Sequence, residues 1–217
     1  MSGDYSRKRF DPEKHFQGVL RQQGRVDLDA DWNEYIDLQD RRWRAETIDV
    51  IGRCGVPAET PDGFKIQISG GQLAIGQGRI YVDGFLAENH GAAFVFNAAL
   101  EERYGTAAIA AQDQPYSSTS IVLTPGVRSL VYVDVWRREV THLQEPGLIE
   151  PAVNIDTTTR NQTAWQIRLL SDLPSDVTCQ TPFGEIANWP AGNFPSAARC
   201  WLLIRLRSRN TAGSRSS

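Results

Sequence analysis

Residues 27–56 decide the fold, and they read DLDADWNEYIDLQDRRWRAETIDVIGRCGV. Mostly apolar side chains recur in this stretch at near-heptad spacing, with one glutamine filling the gap between them. They are Leu28, Trp32, Ile36, Gln39, Trp43 and Val50. This spacing predicts one long helix over residues 29–52. Tyr35, Leu38 and Ile51 lie beside the stripe and widen it.

The ends of this helix carry recognisable start and stop signals. The carboxylates of Asp27, Asp29 and Asp31 crowd its start, where they oppose the helix dipole. Asp31 and Glu34 have the spacing of a capping box, and Gly52 follows the last turn. The apolar stripe must be buried against something. Two partners are possible: the sheet of its own chain, or the same stripe on another copy of the chain.

The rest of the sequence predicts an α+β fold, in which an extended N-terminal arm and one long helix precede a small, mainly antiparallel β-domain, sandwich or barrel-like. The arm contains one helical turn that begins at Pro12 after the cap residue Asp11. The predicted segments are the extended arm at 1–26, the long helix at 27–56, the β-domain at 57–207 and a tail at 208–217.

Within the β-domain the hydrophobic period changes to two, which predicts strands. The pair Asp83-Gly84 stands between two short apolar runs and is a hairpin or bulge signal. A helical turn is predicted over 97–104 and a flexible loop over 107–120. The predicted strands lie at 64–68, 73–75, 79–82, 85–87, 93–96, 130–140, 163–170 and 200–206.

Composition excludes several classes of protein. The chain has 217 residues, of which 41% are hydrophobic and 23% charged, so it can bury an ordinary core. Its net charge of −3 lacks the basic excess of a general nucleic-acid binder. No apolar run is long enough to span a membrane, and the N-terminus has no signal-peptide core. Three cysteines without a CxxC pattern form no metal or redox motif, and we expect folding in a reducing cytoplasm.

No motif for catalysis or metal binding stands out. An EF-hand loop that began at Asp27 would need glycine and glutamate at the positions of Trp32 and Leu38. The three histidines have no metal-ligand spacing, and no serine lies in a GxSxG elbow. Gly76-Gln77-Gly78 is a turn rather than a phosphate-binding loop. We therefore predict no enzyme activity, no cofactor and no metal ion.

Tryptophans of the β-domain leave a second function open. Trp136, Trp165 and Trp189 could stack against sugar rings. This hypothesis describes a carbohydrate- or surface-binding module in which Trp136 and Trp189 are exposed. Tryptophan in a strand is more often part of a core or an interface, which is the alternative interpretation.

Several blocks of sequence, in order over residues 3–168, carry a resemblance. They are GDYSR (3–7), FDP (10–12), QGRV (23–26), LDADWNE (28–34), GRIYVDG (78–84), VYVDVWRREVT (131–141), EPA (150–152), DTTTR (156–160) and TAWQIR (163–168). Together they resemble an uncharacterised domain family encoded in gene clusters for extracellular contractile injection systems, the phage-tail-like particles of bacteria. The layout is more loosely similar to phage baseplate and tail-fibre attachment proteins.

This resemblance implies assembly rather than catalysis. It implies a structural subunit at the baseplate, around the spike or at the fibre attachment, present as a trimer or larger homo-oligomer. The apolar stripe would form a helical seam between copies, and the arm would wrap a neighbour. The implied interface residues are Tyr5, Phe10, Phe16, Trp32, Ile36, Gln39, Trp43 and Val50.

The same resemblance implies where the chain acts and with what. Besides copies of itself, its partners would be other baseplate, spike or fibre proteins, with no nucleic acid and no sign of membrane contact. The chain would reside in the bacterial cytoplasm during assembly, and with the particle outside the cell after lysis.

Overall fold

A computed structural model describes residues 3–69, 72–97, 102–116, 121, 123–124, 126–178, 181–187, 189 and 198–202. The described part contains helix α1 (Asp29–Ile51) and small antiparallel sheets, so the α+β class is confirmed. Its strands form sheets of two or three and close no barrel, which removes the barrel-like form of the prediction. The predicted tail at 208–217 lies outside the described residues.

Thirteen strands are described. In chain order they are β1 (Cys54–Gly55), β2 (Ile66–Ser69), β3 (Gln72–Ile75), β4 (Gly78–Val82), β5 (Phe85–Asn89), β6 (Ala92–Asn97), β7 (Glu102–Ala107), β8 (Ile109–Ala110), β9 (Leu130–Val140), β10 (Ile149–Glu150), β11 (Ile155–Asp156), β12 (Arg160–Leu170) and β13 (Ala198–Leu202). The sheets have the strand orders β1-β4-β5, β2-β3-β8, β6-β7, β12-β9-β13 and β10-β11.

The chain forms two compact units, each built from segments that are distant in sequence. The first unit consists of Met1–Gly55, Tyr81–Leu86 and Arg137–Thr163, and the second of Val56–Ile80, Ala87–Trp136 and Ala164–Ser217. The first unit therefore combines the arm and α1 with short β segments.

Helix α1 has nearly the bounds that the sequence predicts, but its start is built differently. The N-cap residue is Leu28, which makes no side-chain capping bond. Asp29 instead accepts hydrogen bonds from the backbone nitrogen and the hydroxyl of Ser6, at 2.9 and 2.6 Å. Asp31 lies inside the helix and pairs with Arg9. The predicted capping box of Asp31 and Glu34 is therefore wrong, because Leu28 is the N-cap residue and Asp31 pairs with Arg9 from inside the helix.

The Asp83-Gly84 hairpin is confirmed. Asp83 has φ 50° and Gly84 has φ 79°, the pair of positive values that a two-residue type I′ turn requires. This turn joins β4 to β5, and its tip touches α1 within the first unit. A Cβ atom on Gly84 would lie 2.8 Å from the carbonyl oxygen of Arg44, so the approach needs glycine.

The second unit contains the larger apolar core. Phe64 is fully buried and meets Trp165 edge to face, with ring centroids 4.8 Å apart. Phe64 has φ 59°, so it ends a turn, and strand β2 begins only at Ile66 rather than at 64. Other fully buried side chains of this unit are Ile75, Ile80, Leu130, Val131, Val133, Val135 and Ile167.

Two predicted stretches of the β-domain differ from the structure. The helical turn predicted over 97–104 is wrong where it is described, because β7 begins at Glu102 and pairs antiparallel with β6. The predicted loop at 107–120 contains β8 and a 3₁₀ turn at Ala111–Asp113. The last predicted strand is described only as β13, Ala198–Leu202. Cys54 is disulfide-bonded, which the cysteine count did not lead us to expect.

Candidate functional site

The arm runs along α1 and returns to its start. Ser6 contacts Asp29 near the beginning of the helix, whereas the carbonyl oxygen of Gln17 accepts a hydrogen bond from Gln39 Nε2, 3.4 Å away, in the middle of the helix. Because residue 28 must meet the helix start again, residues 18–28 lead back beside the same half of α1. The arm therefore thickens the N-terminal half of the helix.

Tyr5 fixes the first part of the arm to its own chain. Its hydroxyl donates to Glu139 Oε1 at 2.9 Å and lies 2.6 Å from the hydroxyl oxygen of Thr159. Burial raises the pKa of the Tyr5 phenol; the hydrogen bond with Thr159 opposes this, and the Glu139 carboxylate adds to it. Tyr5 thus anchors the arm to its own chain, through Glu139 and Thr159.

The inner face of α1 packs by charged side chains as well as apolar ones. Asp40 binds the guanidinium of Arg137 through both oxygens, with 2.9 Å between Oδ2 and Nη1. The guanidinium of Arg44 lies 4.0 Å from the centroid of the Phe85 ring. Ala30 and Leu38 are buried as well. This inner face therefore holds the helix against the first unit.

Asp37 on the same helix is half-buried. Desolvation raises the pKa of its carboxyl group, as does the nearby carboxylate of Asp40. The charges of Lys8 and Arg137 act in the opposite direction. The net shift of the pKa is upward, because desolvation outweighs the two positive charges. The ionised form of Asp37 therefore destabilises the folded protein relative to the protonated form.

The outer face of α1 carries the predicted stripe, and most of it is in contact with solvent. Exposed fractions are 60% for Trp32, 65% for Trp43 and 80% for Val50, and Ile36 is exposed as well. Gln39 is half-buried beside the arm. Of the two partners that the sequence left open for this stripe, its own sheet does not cover it in the described chain, because Arg137 of β9 and the β4–β5 hairpin contact another face of α1, through Asp40 and Arg44. We call Trp32, Ile36, Gln39, Trp43 and Val50 the outer stripe.

A groove of about 990 Å³ lies between the returning arm and the first turns of α1. Its walls include Leu20 and Val26, which are 92% and 83% exposed, together with Trp32. Arg9, Arg21 and Arg25 line the groove together with Asp27 and Asp31, which leaves a net positive charge. We call this the arm–helix groove. The sequence did not lead us to predict this groove, although Leu20 and Val26 are apolar side chains in a mostly polar arm.

The two other predicted arm residues differ in exposure. Phe10 is half-buried, whereas Phe16 is 53% exposed. Of the eight residues predicted for an interface, the structure therefore turns Phe16, Trp32, Ile36, Trp43 and Val50 to solvent within the described chain. Tyr5, Phe10 and Gln39 are half-buried.

The tryptophans that would bind sugars are not exposed. Trp136 is half-buried and its ring centroid lies 6.2 Å from that of Tyr116. Trp189 is half-buried against Tyr132, with 4.8 Å between ring centroids. Trp165 is buried and donates from its indole nitrogen to the carbonyl oxygen of Glu88. The predicted exposure of Trp136 and Trp189 is therefore wrong, because aromatic neighbours cover them.

Among the described residues, no group of three or more His, Cys, Asp or Glu side chains is placed to hold a metal ion. One histidine is well oriented: His142 Nδ1 lies 2.8 Å from Asp156 Oδ2 in the first unit. Within the same described part, none of the helices is apolar over a membrane-spanning length.

The sequence matches one known protein family. A family model covers residues 1–185, and it is described as a family of unknown function, DUF6519. The chain belongs to this family. No match was found among curated proteins or among solved structures. Membership assigns no role, so function must be argued from the surface of the first unit.

Proposed function

We propose that this DUF6519 protein is a structural subunit that assembles with copies of itself through the outer stripe of α1. The observation that carries this proposal is the exposure of two tryptophans and a valine in one line along a helix that already packs on the first unit through another face. Apolar side chains in such a line are the contact surface of helical seams.

The energetics favour burial of the stripe in an assembly. Each large apolar side chain gains about 1.5–3 kcal/mol when it is removed from water. Trp32, Ile36, Trp43 and Val50 together on each copy can therefore offset the entropy lost when two chains associate, which is about 4–15 kcal/mol. Trp32 and Trp43 would contribute most, since tryptophan is enriched among interface residues that dominate binding energy.

The particle in which this subunit acts is also a proposal. The sequence blocks over 3–168 resemble a family from gene clusters of contractile injection systems, and this supports a place at the baseplate, around the spike or at the fibre attachment. The subunit would act mechanically, without catalysis or a cofactor. Its partners would be further copies, to a total of three or more, and neighbouring particle proteins.

Substitution of Trp43 by aspartate tests the self-assembly. A charge placed in the seam would lack a partner, so Trp43→Asp should leave a folded monomer. Ala45→Asp is the matched control, because Ala45 is exposed on the same turn of α1 but outside the outer stripe. It should keep the wild-type mass. The self-assembly proposal fails if both variants have the same mass in sedimentation velocity while circular dichroism shows both to be folded.

Co-sedimentation tests the particle. Large particles are pelleted from a lysate of the native host and their proteins are quantified by mass spectrometry. The chain should appear beside sheath and tube proteins in near-stoichiometric amounts. If it stays in the supernatant while sheath and tube proteins pellet, the injection-particle role is wrong, whatever the self-association of the purified chain.

A further inference from the structure

The two halves of the outer face of α1 differ in what surrounds them. The N-terminal half is thickened by the returning arm, which forms the arm–helix groove beside Trp32. The C-terminal half, from Trp43 to Val50, is exposed along the stripe. We call the half from Trp43 to Val50 the bare half. In a close contact along the full length of two such helices, the half that the arm covers therefore has to lie against the bare half.

The two halves of the outer face also differ in the charged side chains that surround them. On the arm side of the groove, Arg21 is 3.2 Å from Asp27, whereas Arg25 has no ion-pair partner among the described residues. On the bare half, Glu46 and Asp49 are exposed. They lie on the side of the stripe that the arm occupies in the N-terminal half of the helix. The groove thus has an apolar wall and one arginine, Arg25, in excess of its ion pairs. The bare half is apolar with two carboxylates, one and two turns after the exposed Arg42.

We propose that the arm–helix groove binds the C-terminal half of α1 from a second copy of this chain, with the two helices antiparallel. Val50 of one copy then lies against Trp32 and the apolar wall of the groove on the other, and Trp43 lies against Gln39. Asp49 of each copy lies beside Arg25 of its partner. This inference rests on the proposed self-assembly and specifies its orientation and its second surface.

The position of Glu46 favours antiparallel over parallel helices. Continued at alternating steps of three and four, the outer stripe places Glu46 between Trp43 and Val50. In a parallel seam the Glu46 carboxylates of neighbouring copies would face each other across the contact and repel. In an antiparallel seam centred near residue 41, Glu46 faces Ile36 at the edge of the groove instead.

An antiparallel contact has a consequence for the number of copies. Each copy contributes both its groove and the C-terminal half of its α1 to the contact, so the contact is two-fold symmetric. Assemblies of more than two copies would then contain an even number, with dihedral symmetry, and the cyclic trimer among the stoichiometries implied by the resemblance would not occur.

A charge-swap cycle tests the orientation. Arg25→Glu and Asp49→Arg each place like charges together twice per two-fold contact, so each should weaken self-association about tenfold. The double variant restores opposite charges and should return to within about threefold of the wild-type dissociation constant. If the effects of the two single variants simply multiply in the double variant, Arg25 and Asp49 do not meet and the proposed orientation is wrong.

Cross-linking gives an independent readout. In an Arg25→Lys variant, a carbodiimide can join the new amine to a carboxylate in direct contact. Residue 25 precedes the N-cap residue Leu28 by three positions, so it lies within about 11 Å of the helix start. Asp49 of the same chain lies about 30 Å along the helix from that start at 1.5 Å per residue. A peptide joining positions 25 and 49 therefore arises between copies. Its absence in a cross-linked oligomer contradicts the antiparallel contact.

Failure of this inference is distinguishable from failure of the proposed function. If Trp43→Asp yields monomers but neither the charge swap nor the cross-link connects positions 25 and 49, the stripe assembles in another orientation. If Trp43→Asp leaves the mass unchanged, both proposals are wrong.

Discussion

Arg44 and Arg137 reach the same aromatic ring from two elements of the first unit. Their guanidinium carbons lie 4.0 and 5.3 Å from the centroid of Phe85. Arg137 also binds Asp40, and Arg44 Nη2 donates to the carbonyl oxygen of Asp83 at 3.4 Å. A planar guanidinium can stack and donate at the same time, which an ammonium group cannot. These contacts decide which face of α1 is covered.

Gly84→Ala tests the contact of the hairpin tip with α1. The substitution puts a Cβ atom 2.8 Å from the Arg44 carbonyl oxygen at a residue with φ 79°, and it should lower the free energy of unfolding by about 2 kcal/mol or more. Gly126→Ala is the control, because Gly126 has φ 80° but no atom within 4 Å of the added carbon. It should cost about 1 kcal/mol. Urea unfolding measures both; equal costs would contradict the close approach.

Asp37→Asn tests the buried carboxyl group. The pKa of Asp37 is raised, so the folded state holds its proton more tightly than the unfolded state does. The stabilising proton is fully bound below about pH 3.8 and is lost as the pH rises through the folded-state pKa. The variant should therefore melt at a higher temperature than wild type at pH 7 and at the same temperature at pH 3. A thermal shift of equal size at both pH values would contradict this.

At the scale of elements, the Tyr5 hydroxyl group fixes the start of the arm to Glu139 of β9 and to Thr159, which precedes β12. Tyr5→Phe removes the hydrogen bonds to Glu139 and Thr159 while it keeps the ring. A net loss of about 1 kcal/mol should speed local opening of the arm several-fold. Hydrogen–deuterium exchange should rise in residues 3–12 and stay constant in strands β9 and β12. Uniform change along the chain would show that Tyr5 stabilises the whole fold instead.

The elements with local signals could be predicted from the sequence, and those defined by distant partners could not. Helix α1 has a repeating apolar stripe and a terminal Gly52, and the hairpin has Asp83-Gly84, so both are read from a few neighbouring residues. Strand β7 has no such signal, because it is defined by pairing with β6. Likewise, Asp31 would cap the helix by local rules, but Arg9 binds it from 22 residues away.

For the candidate site, the positions of the outer stripe follow from spacing, but their exposure does not. Exposure depends on which face the first unit covers, and that choice is made by Arg44, Arg137 and Phe85. The arm–helix groove could not be predicted from the sequence either, because it forms only where residues 18–28 run back beside α1. Aromatic neighbours that are distant in sequence cover Trp136 and Trp189 for the same reason.

At the scale of the whole molecule, we propose that the outer stripe of α1 is a contact between copies of the chain. Its exposed tryptophans and the groove beside them belong to the same compact unit. The claim requires self-association, whichever particle contains the subunit and whichever way the helices run.

Sedimentation equilibrium of the purified full-length chain, over a hundredfold range of concentration, tests this claim most directly. One chain has a mass of 24.2 kDa. We predict a mass that rises with concentration to a multiple of this value, an even multiple if the helices are antiparallel. A mass of 24.2 kDa at every concentration, up to several hundred micromolar, would contradict the claim.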